Sequence, residues 1–350
     1  MKILYSFNKA GYEKDYWIKE LKSANCNDFE IIPFNHGDYI DVSKILRAQL
    51  LDNLFYENNE DIINLYRNIK ETIDQQNIEV LVVDNCFPYH PEFLASLNVF
   101  KVIRTSDGPV AAYDRDFSYV LSYDLVLYHS PAYSEHLTYP QKLNQLGVVS
   151  HEFWPLASFH ATRDLELTVD NLFEHERDID VIFVGALHFD KMPILAKLKN
   201  TIGKKLQLNG LSNIKRNIYF NIKYGFPGWV SPISSEEYSK LYRRSKIGIN
   251  IHNRGKFTVG SYRLFDLPAN GVLQISDGGE YLDNFFKNGS EILSYDDVDE
   301  LVDLITFYLK NESYRNDIAL QGFKRAISEY DIKISLRKMY EIIIKKMKKR

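Results

Sequence analysis

The chain has 350 residues, enough for about two domains of roughly 150 residues each. Hydrophobic residues make up 45% and charged residues 26%, an ordinary globular balance, and the net charge of −4 argues against a nucleic-acid binder that works by bulk electrostatics. Two cysteines, Cys26 and Cys86, make no disulfide framework, no apolar run is long enough to span a bilayer, and MKILYSFNKAGYEK lacks the basic flank and long apolar core of a secretory signal.

Together these point to a reduced, cytoplasmic setting. The 24 tyrosines and 21 phenylalanines are read first as core, since aromatics bury large areas.

Short apolar runs alternate with longer amphipathic ones along the chain. KILYSF reads as a strand, and GYEKDYWIKELKSA as a helix with Trp17, Ile18 and Leu21 on one face. FEIIPF is a second strand, and the stretch from Asp41 to Gln76 is helical, as two helices. The strands EVLVVD, VFKVIRT, DLVLYH and GVVSHEF follow. Continuous Val/Ile/Leu strands with helices between them imply a parallel sheet covered on both faces.

The pattern pauses after WPLASFHAT, and the charged, weakly periodic RDLELTVDNLFEHERDID reads as the linker, over 161–178. A second series then runs DVIFVGA, a helix through KMPILAKLKN, KKLQLNG, a helix near SEEYSKLYRRS, KIGINIH, a helix holding YRLFDLPAN, and GVLQIS. Three helical stretches close the chain, and no internal repeat or low-complexity segment interrupts it. The expected architecture is α/β: two Rossmann-like, doubly wound domains facing a cleft, with a helical C-terminus. The domains are 1–160 and 179–330, and 331–350 is a final helix. Ligands of such sheets bind at the carboxyl ends of the strands, which places the expected site in the cleft.

The loops at those ends carry the candidate chemistry. VIFVGALHFDKM gives a strand, Gly185, and a loop that brings Lys191 to the next helix. Glycine lets backbone approach a ligand, and lysine offers a point charge suited to phosphate. The next strand ends at His252, and its loop carries Asn253, Arg254, Lys256, Gly260 and Ser261 before a helix opens at Tyr262. Amides at a helix N-terminus bind anions. Arg263 in the first turn opposes the helix dipole unless an anion is near, and Asp266 one turn on suits the vicinal diol of a ribose. A simple exposed Arg263–Asp266 pair with Asn270-Gly271 as helix stop is the plainer alternative.

In the first domain Gly11 follows the first strand, Asn85, Tyr89 and His90 follow the third, Ser106, Asp107 and Asp114 the fourth, and His129 the fifth. Asp107 suits a general base for an acceptor hydroxyl, and His90 is the second catalytic candidate. Ser-Asp-Gly-Pro is also ordinary turn chemistry. The chain has no GxxxxGK[ST] loop and no GxGxxG fingerprint, which disfavours an ATPase or dehydrogenase, and no side-chain cluster has metal-ligand spacing.

With FVGALHFDK, IGINIHNRG, the stretch from YRLFDLPANGVLQISD to KRAISEY, and the final helix in view, the C-terminal half resembles the GT-B glycosyltransferases, within them the group named after the spore maturation protein CgeB. The resemblance covers roughly 179 to 340, and IRTSDGP and FWPLASFH match more loosely. It implies that Gly185 and Lys191 contact a donor diphosphate, that Asp266 holds the nucleotide ribose, and that Gly271 ends the motif. The arginine usual beside the first glycine is Ala186 here, the earlier acid of the paired pattern is Thr258, and Arg263 with Arg254 replaces the lost charge. The implied reaction is sugar transfer from a nucleotide-diphosphate sugar to an acceptor hydroxyl of a glycan, lipid-linked glycan or protein, in surface glycan or glycoconjugate synthesis, with no metal and no cofactor beyond the donor.

The final helix is expected to cross back to the first domain, and its basic end IIIKKMKKR to offer peripheral membrane contact at the inner face. Alternatives are a sugar-nucleotide epimerase, a glycosyltransferase of modified DNA, and a binding protein without turnover.

Overall fold

The computed structural model describes all residues except 42–43, 46–48, 50–51, 85–87, 106–118, 159–166, 211–212, 235–236, 253–258 and 350, and the side chain of Tyr12. The expected site residues Asp107, Asn253 and Arg254, with Asn85, Cys86, Ser106, Asp114, Lys256 and Thr258, lie outside the described residues. The chain forms two compact units, Met1–Pro155 with Ile332–Arg350, and Leu156–Asp331.

The N-terminal unit is built on six parallel strands: β1 (Lys2–Phe7), β2 (Glu30–Asn35), β3 (Val80–Asp84), β4 (Phe100–Arg104), β5 (Leu125–Tyr128) and β8 (His151–Phe153). A short antiparallel hairpin, β6 (Ala132–Ser134) and β7 (Leu137–Thr138), lies outside this sheet. The order is β2-β1-β3-β4-β5-β8, so the chain reverses direction across the sheet between β1 and β3. Central strands such as VLVVD bury nearly every side chain, as strands covered on both faces must. The helices α1 (Gly11–Ser23), α2 (Asn53–Asn58), α3 (Glu60–Gln76), α4 (Pro91–Ala95) and α5 (Tyr139–Gln145) carry the connections. Asp52 and Asn59 cap α2 and α3 through their side chains, which divides the long helical stretch in two.

The C-terminal unit has five parallel strands, β9 (Ile179–Val184), β10 (Leu206–Asn209), β11 (Ser245–Asn250), β12 (Leu273–Ser276) and β13 (Leu293–Ser294), in the order β10-β9-β11-β12-β13. Its helices are α6 (Met192–Ile202), α7 (Ile214–Tyr224), α8 (Tyr238–Arg243), α9 (Tyr262–Ala269), α10 (Val298–Lys310) and α11 (Glu312–Glu329). Helix α7 is absent from the sequence expectation.

The linker boundary differs from that expectation. The stretch 167–178, read as linker, is part of the C-terminal unit: Leu167 and Leu172 pack against Phe323, and Arg177 donates to Ser245 O (2.6 Å) and Asn270 O (3.1 Å). The last helix, α12 (Ile332–Met347), belongs to the N-terminal unit. It buries Ile332, Leu336, Met339 and Ile343, Trp154 Nε1 donates to Ser335 O at 2.9 Å, and Lys346 meets Glu152 at 2.9 Å. The apolar face of the basic tail is therefore packed within that unit. Among the described residues no helix is long and apolar enough to cross a membrane.

Candidate functional site

In the C-terminal unit the chain reverses across the sheet between β9 and β11, and such a switch point opens a crevice at the carboxyl ends of those strands. Three sequence-predicted residues meet there. Strand β9 ends at Val184, and Gly185 passes so close to Arg263 that a Cβ would stand 2.0 Å from Nη2. Arg263 reaches the spot from the first turn of α9. Its Nε donates to Val184 O (2.7 Å) and its Nη1 to Asn250 Oδ1 (2.9 Å), and its guanidinium lies 4.7 Å from the centre of the Phe183 ring. Burial lowers its pKa, and all its hydrogen-bond acceptors among the described residues are neutral.

Lys191 comes to the same ring from the other side. It occupies the N-cap of α6, its Nζ is 5.8 Å from the Phe183 centroid, and only 3% of the residue is exposed. Burial is the main cause that pushes its pKa down to about 7; the Arg263 charge adds to this, and Asp190 and Asp277 oppose it. Two cations share one small region at a helix N-terminus, and neither is hydrogen-bonded to a carboxylate among the described residues. Ser261, the N-cap of α9, makes no side-chain capping bond. The arrangement is built to receive an anion.

Tyr295 adds a group that sequence reasoning missed. It follows β13, its backbone N–H donates to Ser276 O (3.1 Å), and its ring is buried in the core. Its hydroxyl has no hydrogen-bond partner among the described residues, and burial, with the nearby Asp277 charge, raises its pKa. A buried hydroxyl without an acceptor costs stability, which is tolerated most readily where a ligand supplies the acceptor. The only cue in the sequence is a tyrosine directly after a strand.

His252 is a framing residue. Its Nδ1–H donates to Asp277 Oδ1 (2.7 Å), its backbone N–H reaches the same carboxylate, and its Nε2 accepts from the Asn250 amide (3.3 Å). Asn250 in turn holds Arg263 and, at 3.4 Å, Ser261 Oγ. Gly260 has φ +123° and lies buried just before the helix, and Tyr262 is half-buried at its start. Asp266 is buried inside the unit, and its oxygens accept from Ser158 Oγ (2.8 Å) and Tyr238 OH (3.4 Å). The ribose role expected for it requires those hydroxyls to be displaced or shared.

Of the N-terminal candidates, Gly11 and His90 are among the described residues, and neither joins such a cluster. Gly11 opens α1 with φ +53° at an exposed position. His90 caps α4: its Nδ1 accepts from Glu92 N–H (3.3 Å), and its Nε2–H donates to Asn53 Oδ1 (2.9 Å). Both ring nitrogens are thus hydrogen-bonded within the unit. Asp84, at the end of β3, was not anticipated. It pairs with the buried Arg104 at 3.2 Å through Oδ2, while Oδ1 is buried without a partner among the described residues.

This architecture is the GT-B fold, two Rossmann-like units with a helical C-terminus. A family model described as glycosyl transferase-like matches residues 194–341. A sucrose-phosphate synthase from Thermosynechococcus elongatus is similar in structure, with TM-score 0.62, 13% identity, and 98% of this chain and 99% of that one covered. The Anabaena protein HepE, solved in complex with UDP-glucose, aligns with TM-score 0.61 and 10% identity over 99% and 100% of the chains. An alpha-glucosyltransferase in complex with UDP-glucose and DNA containing an abasic site aligns with TM-score 0.62 and 11% identity over 98% of both. No curated protein matches this chain in sequence.

Proposed function

We propose that this protein is a glycosyltransferase whose C-terminal unit takes a nucleotide-diphosphate sugar at the carboxyl ends of β9 and β11. The observation that carries the reading is the convergence of Lys191 and Arg263 on the Phe183 ring beside Gly185. The diphosphate lies against Gly185, between the two cations and the first amides of α9, with the Tyr295 hydroxyl within reach. When the bond from the sugar's anomeric carbon to the diphosphate oxygen breaks, charge develops on that oxygen, and these fixed donors stabilise it without reorganising. Gly210 supports this turn from behind, since its bare backbone packs on Gly185, where a Cβ would lie 2.1 Å from Gly185 O.

The acceptor is a hydroxyl held by the N-terminal unit, with Asp107 as the candidate base. A glycan, lipid-linked glycan or protein acceptor, cytoplasmic synthesis of surface glycoconjugates, and a CgeB-like subtype complete the proposal. The similar proteins solved with UDP-glucose make a uridine donor the first choice.

A thermal-shift panel of nucleoside diphosphates and nucleotide sugars tests the reading. One base is expected to raise the melting temperature, since ligand at about 100 times Kd adds about 2.7 kcal/mol. Product analysis with that donor then separates transfer from epimerisation and from binding alone. Absence of a shift with every nucleotide at millimolar concentration would sink the proposal.

A further inference from the structure

Helix α7 turns its three isoleucines away from the unit it packs on. Asn217 and Phe220 point into the unit and are buried. Ile214, Ile218 and Ile222 are spaced four residues apart, so they form one outward stripe, with exposures of 67%, 51% and 81%. Tyr219 flanks the stripe at 48% exposure. Asn221 Nδ2 donates to Gly228 O (3.4 Å), which ties the following loop to the helix and sets Trp229, 53% exposed, beside it.

Charge says what covers this face. From Gly203 to Ser235 the sequence contains Lys204, Lys205, Lys215, Arg216 and Lys223 and no aspartate or glutamate. Lys215 and Lys223 lie on α7, are exposed, and pair with no carboxylate among the described residues. Lys223 Nζ instead meets Tyr219 OH at 2.6 Å. A stripe of isoleucines, aromatic residues with a polar tip at its margin, and lysines without counter-charges is the composition of a helix that lies in the interface of an anionic bilayer.

We infer that the α7 face, with the Trp229 loop, docks the C-terminal unit on an anionic lipid surface. The isoleucines enter the boundary between headgroups and acyl chains, and the lysines contact lipid phosphates. This surface is distinct from the chain's basic tail, whose apolar face is packed in the N-terminal unit.

The fluorescence of Trp229 reads the proposal directly, because Trp17 and Trp154 are buried. Vesicles of phosphatidylcholine, with and without phosphatidylglycerol, are titrated into the intact chain. The expected result is a blue shift and co-sedimentation with the anionic vesicles alone, weakening as salt rises. Ile218→Asp with Ile222→Asp is expected to cut partitioning at least ~10-fold, since two buried isoleucines are lost from the interface. Lys215→Glu with Lys223→Glu, which leaves the apolar stripe intact, is expected to abolish the preference for anionic lipid. Thermal melts of both variants should match the parent, because every substituted side chain is exposed. The inference is overturned if the chain ignores anionic vesicles, if both double variants bind as the parent does, or if the apolar variant instead abolishes a dimer seen by light scattering.

Discussion

Lys191 combines a cost and a function in one side chain, and replacing it with methionine should separate them. The buried ammonium has its pKa lowered to about 7 from the ordinary 10.5. At about 1.4 kcal/mol per unit, the empty site disfavours the charged form by up to about 5 kcal/mol. The sign follows from proton counts. Between pH 7 and 10.5 the unfolded chain holds a proton that the folded chain lacks, so stability rises with pH across that window and the full penalty stands below it. Methionine keeps most of the packing and removes the charge. Lys191→Met should therefore be more stable than the parent at pH 6 by about 2–4 kcal/mol, allowing for lost contacts, and the gain should shrink to about 1 kcal/mol or less by pH 9.5. Donor affinity should fall roughly 10- to 100-fold, the worth of a charged hydrogen bond. Urea unfolding at the two pH values and calorimetric titration with the donor measure both quantities. A variant that is less stable at both pH values, or that binds donor as well as the parent, would refute the assignment.

Four further outcomes follow from the same site. The diphosphate of a nucleotide sugar keeps its charge across neutral pH, so donor affinity should weaken as pH rises through 7, by up to ~10-fold per unit as Lys191 loses its proton, and calorimetry at pH 6, 7 and 8 reads this. Gly185→Ala drives a Cβ into the Arg263 guanidinium, which Val184 O and Asn250 hold in place, from a φ of +156° that alanine rarely adopts; it should cost about 1–3 kcal/mol and drop donor affinity roughly 10-fold or more, and Gly210→Ala, which meets backbone, should cost at least as much stability. Tyr295→Phe removes a buried hydroxyl without a partner, so the empty protein should be unchanged or up to about 1 kcal/mol more stable, with weaker donor binding. Asp266→Ala strands the Ser158 and Tyr238 hydroxyls and should cost about 1–3 kcal/mol in a denaturant melt; Asp266→Asn should cost less, and a loss of donor affinity in that variant would mark the ribose role.

Much of the fold was legible because its signals are local. VLVVD and DVIFVGA are continuous apolar runs rich in valine and isoleucine, and only a sheet covered on both faces hides them. Gly185, Lys191 and Arg263 were legible one by one, as a turn glycine and two cations where helices begin. Their convergence depends on β11 lying beside β9, which strand order decides and local sequence does not. Tyr295 was invisible for the same reason: it reaches the site only because β13 closes the sheet next to β12. Helix α7 was missed because its isoleucines face outward, so the pattern used to find helices pointed away from the core. The linker reading of 161–178 failed over its described part because charged residues there are tied down individually, Arg177 by backbone carbonyls, while only a few apolar residues such as Leu172 anchor the segment.

The assignment of Ile332–Arg350 to the N-terminal unit has a consequence for biogenesis. A ribosome emits the strands of that unit first, yet Trp154 and Phe29 find their partners, Ser335 and Tyr340, only after the entire C-terminal unit has been synthesised. The first-made unit is thus the last to be completed. While it waits, the groove meant for α12 exposes apolar surface, and a nascent chain stalled within the C-terminal unit presents that surface to chaperones and proteases.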